Sequence, residues 1–422
     1  SCRLPGAPNE AVFRDVLNKA RFTVGHVPPG RWHGELAFHP GQKAAGSAYT
    51  FAGGFLPAPY DFDIGVFGMS PREAVQVDPQ QRLLAELVWE ALENARIAPG
   101  SLAGKEVGVY IGVSALDHAN LFGGDPGAIE SHFMTGNTLS IVANRISYLF
   151  DLKGPSFIVD TACSSSLVAV ERALADLRSG RIDTAIVGGV NMLLSPAAFV
   201  GFSRAQMLSP TGACRPFSAA GDGYVRSEGG VVFILQRGDV ADPGAIRAVI
   251  KGAAINSDGR TSGIALPGLD GQRSLLERTY AEAGVSPEDL AFVEAHGTGT
   301  IVGDPIEATA IATVLGKPRS KPLPMGSVKS NIGHLEPASG VAGMMKALIA
   351  LEQRVYPATL HLDALNPHVD FAGLNLQPAT QAVPLGDGVL YCGVSSFGFG
   401  GTNAHGVTGF APGDLVMGFG QN

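Results

Sequence analysis

Apolar positions along the chain switch between two periods. Over Asp78 to Ile97 (DPQQRLLAELVWEALENARI) they recur at helical spacing, with Asp78 placed to cap and Pro79 in the first turn, which predicts an amphipathic helix. Glu106 to Gly112 (EVGVYIG) and Ser156 to Asp160 (SFIVD) are short apolar runs that predict buried strands, and Ser164 to Arg178 returns to the helical period. Thr184 to Asn191, Gly230 to Gln236 and Ala245 to Asn256 predict further strands. The same rhythm follows: a helix over Gly271 to Ala283, a strand over Ala291 to Ala295, helices over Ile306 to Leu315 and Gly340 to Gln353, and a glycine-rich closing stretch from Cys392 to Asn403. Alternation of this kind predicts an α/β protein with helices packed on a mostly parallel sheet. No low-complexity linker or short-period repeat interrupts it. The rhythm suits a duplicated architecture without proving one.

Composition narrows the class. Hydrophobic residues are 45% of the 422 and charged residues 16%, against a usual ~25% charged, so the chain can bury a large core and is not a disordered segment. A net charge of −8 argues against non-specific nucleic-acid binding, which needs a basic surface. Four cysteines (Cys2, Cys163, Cys214, Cys392) are too few for a disulfide scaffold of this size and read as reduced thiols of a cytoplasmic protein. No signal peptide opens the sequence. Two long uncharged stretches, Thr184 to Ser203 and Gly388 to Pro412, carry glycine, asparagine and proline. Each reads as a buried strand followed by a loop, not as a membrane span.

The sharpest local signal is Asp160-Thr161-Ala162-Cys163-Ser164-Ser165-Ser166, where a strand ends, a cysteine sits at the junction and a helix begins. A thiol there feels the partial positive charge of the helix N-terminus, which favours thiolate, and nearby N–H groups could hold an oxyanion. The alternative is a small core cysteine. Cys214 and Cys392 lack such a setting and read as structural. His296 (EAHGTGT, 294–300) and His334 (KSNIGHLE, 329–336) both lie at strand-end or pre-helix loops, where α/β proteins gather their sites. Taken alone, a histidine at either place is more often a satisfied structural residue, and Lys329 is as readily a charge partner as a solvated lysine. A thiol with two such imidazoles favours a thiol enzyme using histidine as hydrogen-bond donor or base. No zinc spacing, HExxH or GxxxxGK[ST] is present, so no metal site is expected.

At these motifs the chain resembles the β-ketoacyl synthase domain of type I polyketide synthases. FGMSPREAVQVDPQQRLLAELVWEALENA (67–95), VDTACSSSLVAV (159–170), DGYVRSEG (222–229), EAHGTGT (294–300), GSVKSNIGHLEPASGVAG (326–343) and SSFGFGGTNAH (395–405) occur in the family's order. The resemblance implies a thiolase-like αβαβα sandwich built from two similar halves. One half, residues 1–240, would carry Cys163; the other, 241–405, would carry His296 and His334; residues 406–422 are an unassigned tail. It also implies Cys163 as the acyl-accepting nucleophile, His296 and His334 as the pair supporting decarboxylation, and Lys329 as the lysine that orders them. Thr298 and Thr300 would bind the pantetheine arm. Phe399 would gate the site and share the oxyanion hole with Cys163 through its backbone N–H.

The implied reaction is decarboxylative Claisen condensation: an acyl group held on Cys163 is extended by a malonyl-type unit on an acyl carrier protein. No cofactor is expected on this domain, since the 4′-phosphopantetheine belongs to the carrier. Acyl and malonyl-type thioesters, the carrier protein, other polyketide synthase domains and a second copy in a homodimer are the expected partners. A non-elongating acyl-transfer module and a thiolase-like acyltransferase using Cys392 are the alternatives. The family's first strand is expected before Cys2, and the chain reads as one piece of a megasynthase or of a split one. Ser227 replaces a usual glycine. Gly343 stands where fatty-acid-type relatives carry a glutamate, which is expected to leave Lys329 without that partner.

Overall fold

The computed structural model describes residues 1–33, 37–41, 44–122, 125–409 and 416–418. Ten strands carry the architecture: β1 (Val107–Gly112), β2 (Ser156–Val159), β3 (Thr184–Asn191), β4 (Gly229–Gln236), β5 (Ile246–Ser257), β6 (Leu290–Glu294), β7 (Leu323–Gly326), β8 (Leu376–Pro378), β9 (Tyr391–Phe397) and β10 (Thr402–Gly409). The helices that position the site are α1 (Pro79–Asn94), α2 (Leu139–Leu149), α3 (Ser165–Arg178), α4 (Ala197–Arg204), α5 (Leu269–Ala283), α6 (Gly303–Ile311) and α7 (Ser339–Gln353).

The strand order repeats. In one half it runs β2-β1-β3-β4, with β1 parallel to both β2 and β3 and β4 antiparallel to β3. In the other it runs β7-β6-β9-β10, with β6 parallel to both β7 and β9 and β10 antiparallel to β9. The helix α3 follows β2 as α7 follows β7. The duplication left open by sequence rhythm is therefore plain in the topology. The sheet is mixed rather than mostly parallel, because β4, β5 and β10 all pair antiparallel with a neighbour.

Layering follows from which helices are apolar on more than one side. All residues from Ser339 to Leu351 of α7 are buried, and α3 buries Leu167, Val168, Ala169, Val170, Ala173, Leu174 and Leu177. A helix buried along almost its whole length belongs inside, as α7 is, and α3, whose first turns are buried and whose Arg172 and Arg178 reach solvent, packs beside it against strands of both halves. Outside them, α1 and α2 cover β1, β3 and β4, while α5 covers β5 and β10 and α6 packs on α5. The result is an αβαβα sandwich. In α1, the Asp78 carboxylate accepts from the Gln80 N–H at 2.8 Å as predicted, and Leu84, Leu87, Val88, Ala91 and Leu92 face the sheet.

One predicted stretch differs. The described part of the Gly388 to Pro412 stretch, up to Gly409, is not a strand and a loop but the hairpin β9–β10, turning at 398–401, with Ser395 opposite His405. Cys392, which the apolar run before it places at the end of a strand, lies instead near the start of β9, and His405 to Gly409 continue β10 against β5. Residues 410–415 and 419–422 of the tail lie outside the described residues. Val416–Gly418 pairs with β4 and β5, and Cys2–Arg3 pairs with β4.

Candidate active site

The parallel strands end at one place, and the chemistry gathers there. After β2 the Asp160 carboxylate accepts from the Ala162 N–H at 3.0 Å, and Ala162 turns the chain with φ +55°. That sharp turn presents Cys163 at the mouth of α3. The Cys163 carbonyl accepts from Ser396 Oγ at 2.6 Å and Ser339 Oγ at 3.1 Å, which ties the elbow to the other half. The backbone N–H groups of Phe399 and Cys163 both reach the sulfur and favour thiolate, as does the Lys329 charge. Burial, reinforced by the Glu336 charge, outweighs them and pushes the thiol up to about 12. The expected net activation by the helix N-terminus is thus overridden in the free domain. A charge leaving water for an enclosed cavity loses more than a few dipoles return.

His296 follows β6, and its own N–H and that of Gly297 donate to the Glu307 carboxylate at 2.6 and 2.8 Å. His334 follows the short helix Lys329–Ile332, with its backbone N–H on the Val225 carbonyl at 2.7 Å. The two rings meet edge to face with centroids 5.5 Å apart. Each Nδ1 faces a backbone N–H: Phe397 donates to His296 at 3.4 Å and Glu336 to His334 at 3.0 Å. An imidazole accepting at Nδ1 carries its proton on Nε2 when neutral. Burial, reinforced by the Lys329 charge, holds both histidines well below their usual range, so both are neutral donors at Nε2. His334 Nε2 is buried and lacks a partner among the described residues.

Lys329 is 3% exposed, and burial lowers its pKa against the opposing pull of Glu294 and Glu307. It is not left without acidic neighbours by Gly343. A Cβ at Gly343 would sit 3.3 Å from Glu294 Cγ, so the space a glutamate would claim belongs to Glu294. The Glu294 carboxylate also accepts from Val328 N–H, from Tyr356 Oη at 2.8 Å and from fully buried Lys346 at 2.8 Å.

A cavity of about 360 Å³ joins these groups. Cys163, His296, His334, Thr298, Thr300 and Phe399 line it. The Thr298 and Thr300 hydroxyls lie 3.2 Å apart on one wall. Phe399 is 45% exposed at the rim and packs edge-on against Phe202. Lys329 lies behind the wall rather than in it. Sequence reasoning missed Asp304 and Glu307. Asp304 accepts from Phe217 and Gly299 N–H groups, Glu307 from those beside His296, and burial raises their pKa values to about 6 and 7. The GDPIEA run at 303–308 was the available signal, since buried acids that accept backbone N–H groups shape the loop before them. It also missed Arg226 and Glu336, which form a buried ion pair beside His334.

The remaining cysteines sit apart from this chemistry. Cys214 Sγ accepts from Val225 N–H at 3.2 Å, and Cys392 is wholly buried in β9; neither lines the cavity. Ser227, in place of the usual glycine, donates its hydroxyl to the Ile332 carbonyl at 2.6 Å. Among the described residues, no cluster of His, Cys, Asp and Glu could hold a metal ion, and no helix is long and apolar enough to cross a membrane.

Residues 1–241 match the family "Beta-ketoacyl synthase, N-terminal domain" and residues 247–363 match "Beta-ketoacyl synthase, C-terminal domain". The chain is 45% identical over 412 residues to one component of the phenolphthiocerol/phthiocerol polyketide synthase of Mycobacterium tuberculosis, covering 96% of this chain and 22% of that protein. It is 40% identical over 417 residues to erythronolide synthase EryA2 of Saccharopolyspora erythraea, covering 97% of this chain and 12% of that one. Among solved structures it is similar to the oxazolomycin ketosynthase domain OzmH KS7 of Streptomyces albus JA3453, with a TM-score of 0.93 at 34% identity over 97% of this chain and 73% of that one. It is also similar to the ketosynthase from module 6 of the bacillaene synthase of Bacillus subtilis 168, with a TM-score of 0.90 at 37% identity over 98% and 71% of the two chains. The chain thus spans about a quarter or less of the polyketide synthases it matches. It belongs to the β-ketoacyl synthase family, with a thiolase-like fold and the sequence of a ketosynthase domain of modular polyketide synthases, an acyltransferase class of enzyme.

Proposed function

We propose that this domain catalyses decarboxylative condensation in polyketide chain elongation, with Cys163 as nucleophile and His296 and His334 as the decarboxylation pair. The observation that carries it is the convergence of one thiol and two Nε2–H imidazoles on one cavity. The Cys163 sulfur attacks an acyl thioester on a carrier protein, while the N–H groups of Cys163 and Phe399 hold the tetrahedral oxyanion. The carrier thiolate leaves and takes the thiol proton. A malonyl-type thioester then enters past Phe399, its pantetheine arm against Thr298 and Thr300. His296 and His334 donate to its thioester carbonyl, so the enolate formed on CO2 loss is stabilised. That enolate attacks the acyl carbon on Cys163 and expels the thiolate, which is reprotonated. Lys329 tunes the pair electrostatically from behind the wall.

The 4′-phosphopantetheine arrives on the carrier, so the domain needs no cofactor of its own. We read residues 1–240 and 241–405 as two halves of one catalytic unit, working in the cytoplasm beside other polyketide synthase domains. The outer edge of β2, where Phe157 is 39% exposed, supports a homodimer closed there. Sedimentation of the purified domain tests that assembly.

Intact-protein mass spectrometry of the wild type and Cys163→Ala tests the reaction. Both are mixed with acyl thioesters and then with malonyl-loaded carrier protein. An adduct on the wild type alone, discharged as a β-ketoacyl carrier product, is expected. An adduct that malonyl carrier never discharges points to a non-elongating transfer module.

A further inference from the structure

The residue beside His334 is held in a conformation it would not choose. Glu336 has φ +51°, in the left-handed region that side chains other than glycine seldom occupy. Pro337 follows it, and a residue before proline is biased towards extended backbone. Downstream, the chain is anchored at the start of the buried helix α7. The Glu336 N–H meets His334 Nδ1 at 3.0 Å. His334 is pinned upstream by its own backbone bonds, so a φ at 336 relaxed to the extended region must be compensated by rotation at Leu335, which carries that N–H off Nδ1.

The side chain of Glu336 is held from two sides. Arg226 Nε donates to Oε1 at 2.6 Å and its Nη2 to Oε2 at 2.8 Å, while Asn191 Nδ2 donates to Oε2 at 3.2 Å. The guanidinium is 2% exposed and lies over the rings of Phe199 and Phe202 at 4.8 and 5.6 Å. Its Nη1 is buried without a partner among the described residues. Arg226 also lies in the segment that fixes His334 itself: His334 N–H bonds Val225 O, and Ser227 N–H bonds His334 O at 2.8 Å. A buried ion pair with an unmet donor is a poor way to gain stability alone. Strain maintained by a surrounding clamp, next to a reacting group, is the usual mark of positioning.

We propose that the Arg226–Glu336 ion pair, closed by Asn191, holds Glu336 in its left-handed conformation so that its N–H keeps the proton of His334 on Nε2, making Arg226 a positioning residue for decarboxylation. The proposal rests on the reaction assigned above. It separates the two half-reactions. Cys163 shares Ser339 with this turn, but its carbonyl keeps a second donor in Ser396. Acylation is therefore largely spared when the clamp is cut.

Glycine at 336 supplies the test, because it adopts φ +51° with no side chain to clamp. Arg226→Met, Glu336→Ala, Glu336→Gly and the double variant Arg226→Met/Glu336→Gly are compared with wild type. Cys163 acylation is read by intact mass, CO2 release from malonyl-loaded carrier protein by trapping, and the His334 tautomer by 15N shifts of histidine-labelled protein. Arg226→Met and Glu336→Ala should each slow decarboxylation by roughly 100-fold, the cost of a small misplacement, while acylation slows by no more than about 3-fold and in Glu336→Ala can rise, since the Glu336 charge that pushes the Cys163 thiol up is gone. Glu336→Gly should recover at least about 10-fold over Glu336→Ala, and Arg226→Met should cost little more in its background. Equal rates for alanine and glycine at 336, or equal losses in both half-reactions on cutting the clamp, overturn the proposal. Should Arg226→Met not fold, the pair of variants at 336 still decides. Should the wild type release no CO2, the assigned reaction fails. The tautomer then judges the clamp, which stands only if His334 leaves the Nε2–H form in Glu336→Ala and keeps it in Glu336→Gly.

Discussion

His296 and His334 stand edge to face at an interplanar angle of 83°, and each receives a backbone N–H at Nδ1. The same wiring from two different loops leaves two Nε2–H groups as the free ends of the pair. Neither ring is well placed to hold a second proton. Burial and the Lys329 charge both work against the imidazolium.

A pH profile follows. Both histidines have pKa values lowered from 6.5, so both stay neutral as the pH falls through the ordinary histidine range. Decarboxylation measured under saturating malonyl carrier should stay flat from pH 8 to about pH 6. Glu307 and Asp304, raised to about 7 and 6, titrate in the same window, so the profile is repeated in Glu307→Gln and in Asp304→Asn. A rate that halves near pH 6.5 in the wild type and in both variants would show that one ring titrates normally and that its neutral donor role is wrong.

Cys163 should behave as a protonated thiol in the free domain. With its pKa pushed up to about 12, the thiolate fraction climbs through the whole neutral range without levelling. Alkylation by iodoacetamide, followed by intact mass, should therefore accelerate about tenfold per pH unit between pH 6 and 9. A plateau below pH 8 would mean that the helix terminus and the Phe399 N–H outweigh burial after all.

Gly398 leaves no room for a side chain. A Cβ there would lie 2.3 Å from the Thr161 carbonyl oxygen, which is backbone and cannot yield. Gly398→Ala should push the Phe399 N–H away from Cys163. Loss of one oxyanion donor costs about 10²–10³ in rate, here in both acylation and condensation. If acylation is unchanged while condensation falls, the Phe399 N–H does not serve the first tetrahedral intermediate.

Lys346 and Glu294 form a wholly buried pair behind the cavity, bonded at 2.8 Å. Lys346→Met strands the Glu294 carboxylate, and urea unfolding should show a loss of roughly 3–5 kcal/mol. Adding Glu294→Gln should restore part of it, because the amide oxygen can still accept from Val328 N–H. Two losses that simply add would argue that the residues are not coupled.

Much of the site was legible because its signals are local. A strand that stops at Val159 and a helix that starts at Ser165 bracket Cys163, and any folding of that segment puts the thiol at a helix mouth. Small residues around His296 and the loop before α7 marked the two histidine positions in the same way. The ion pair of Arg226 with Glu336 was not legible, since its members lie 110 positions apart and each reads alone as an ordinary charge. The hairpin β9–β10 was misread for a related reason. Its glycines suggested loop, and only pairing with β5 and β6 makes strands of them.

Local order along the chain already specifies the alternation of strands and helices, the strong amphipathic helix capped by Asp78, the cysteine at a strand–helix junction, and the ordered motifs of its family. Those follow from periodicity and backbone preference over a few residues. The tertiary structure alone decided that two halves repeat one topology and that their strand ends meet over one cavity. It decided also that burial sets the protonation of Cys163, His296 and His334. Ionisation depends on the solvent and charge around a group in space, and distant parts of the chain supply both.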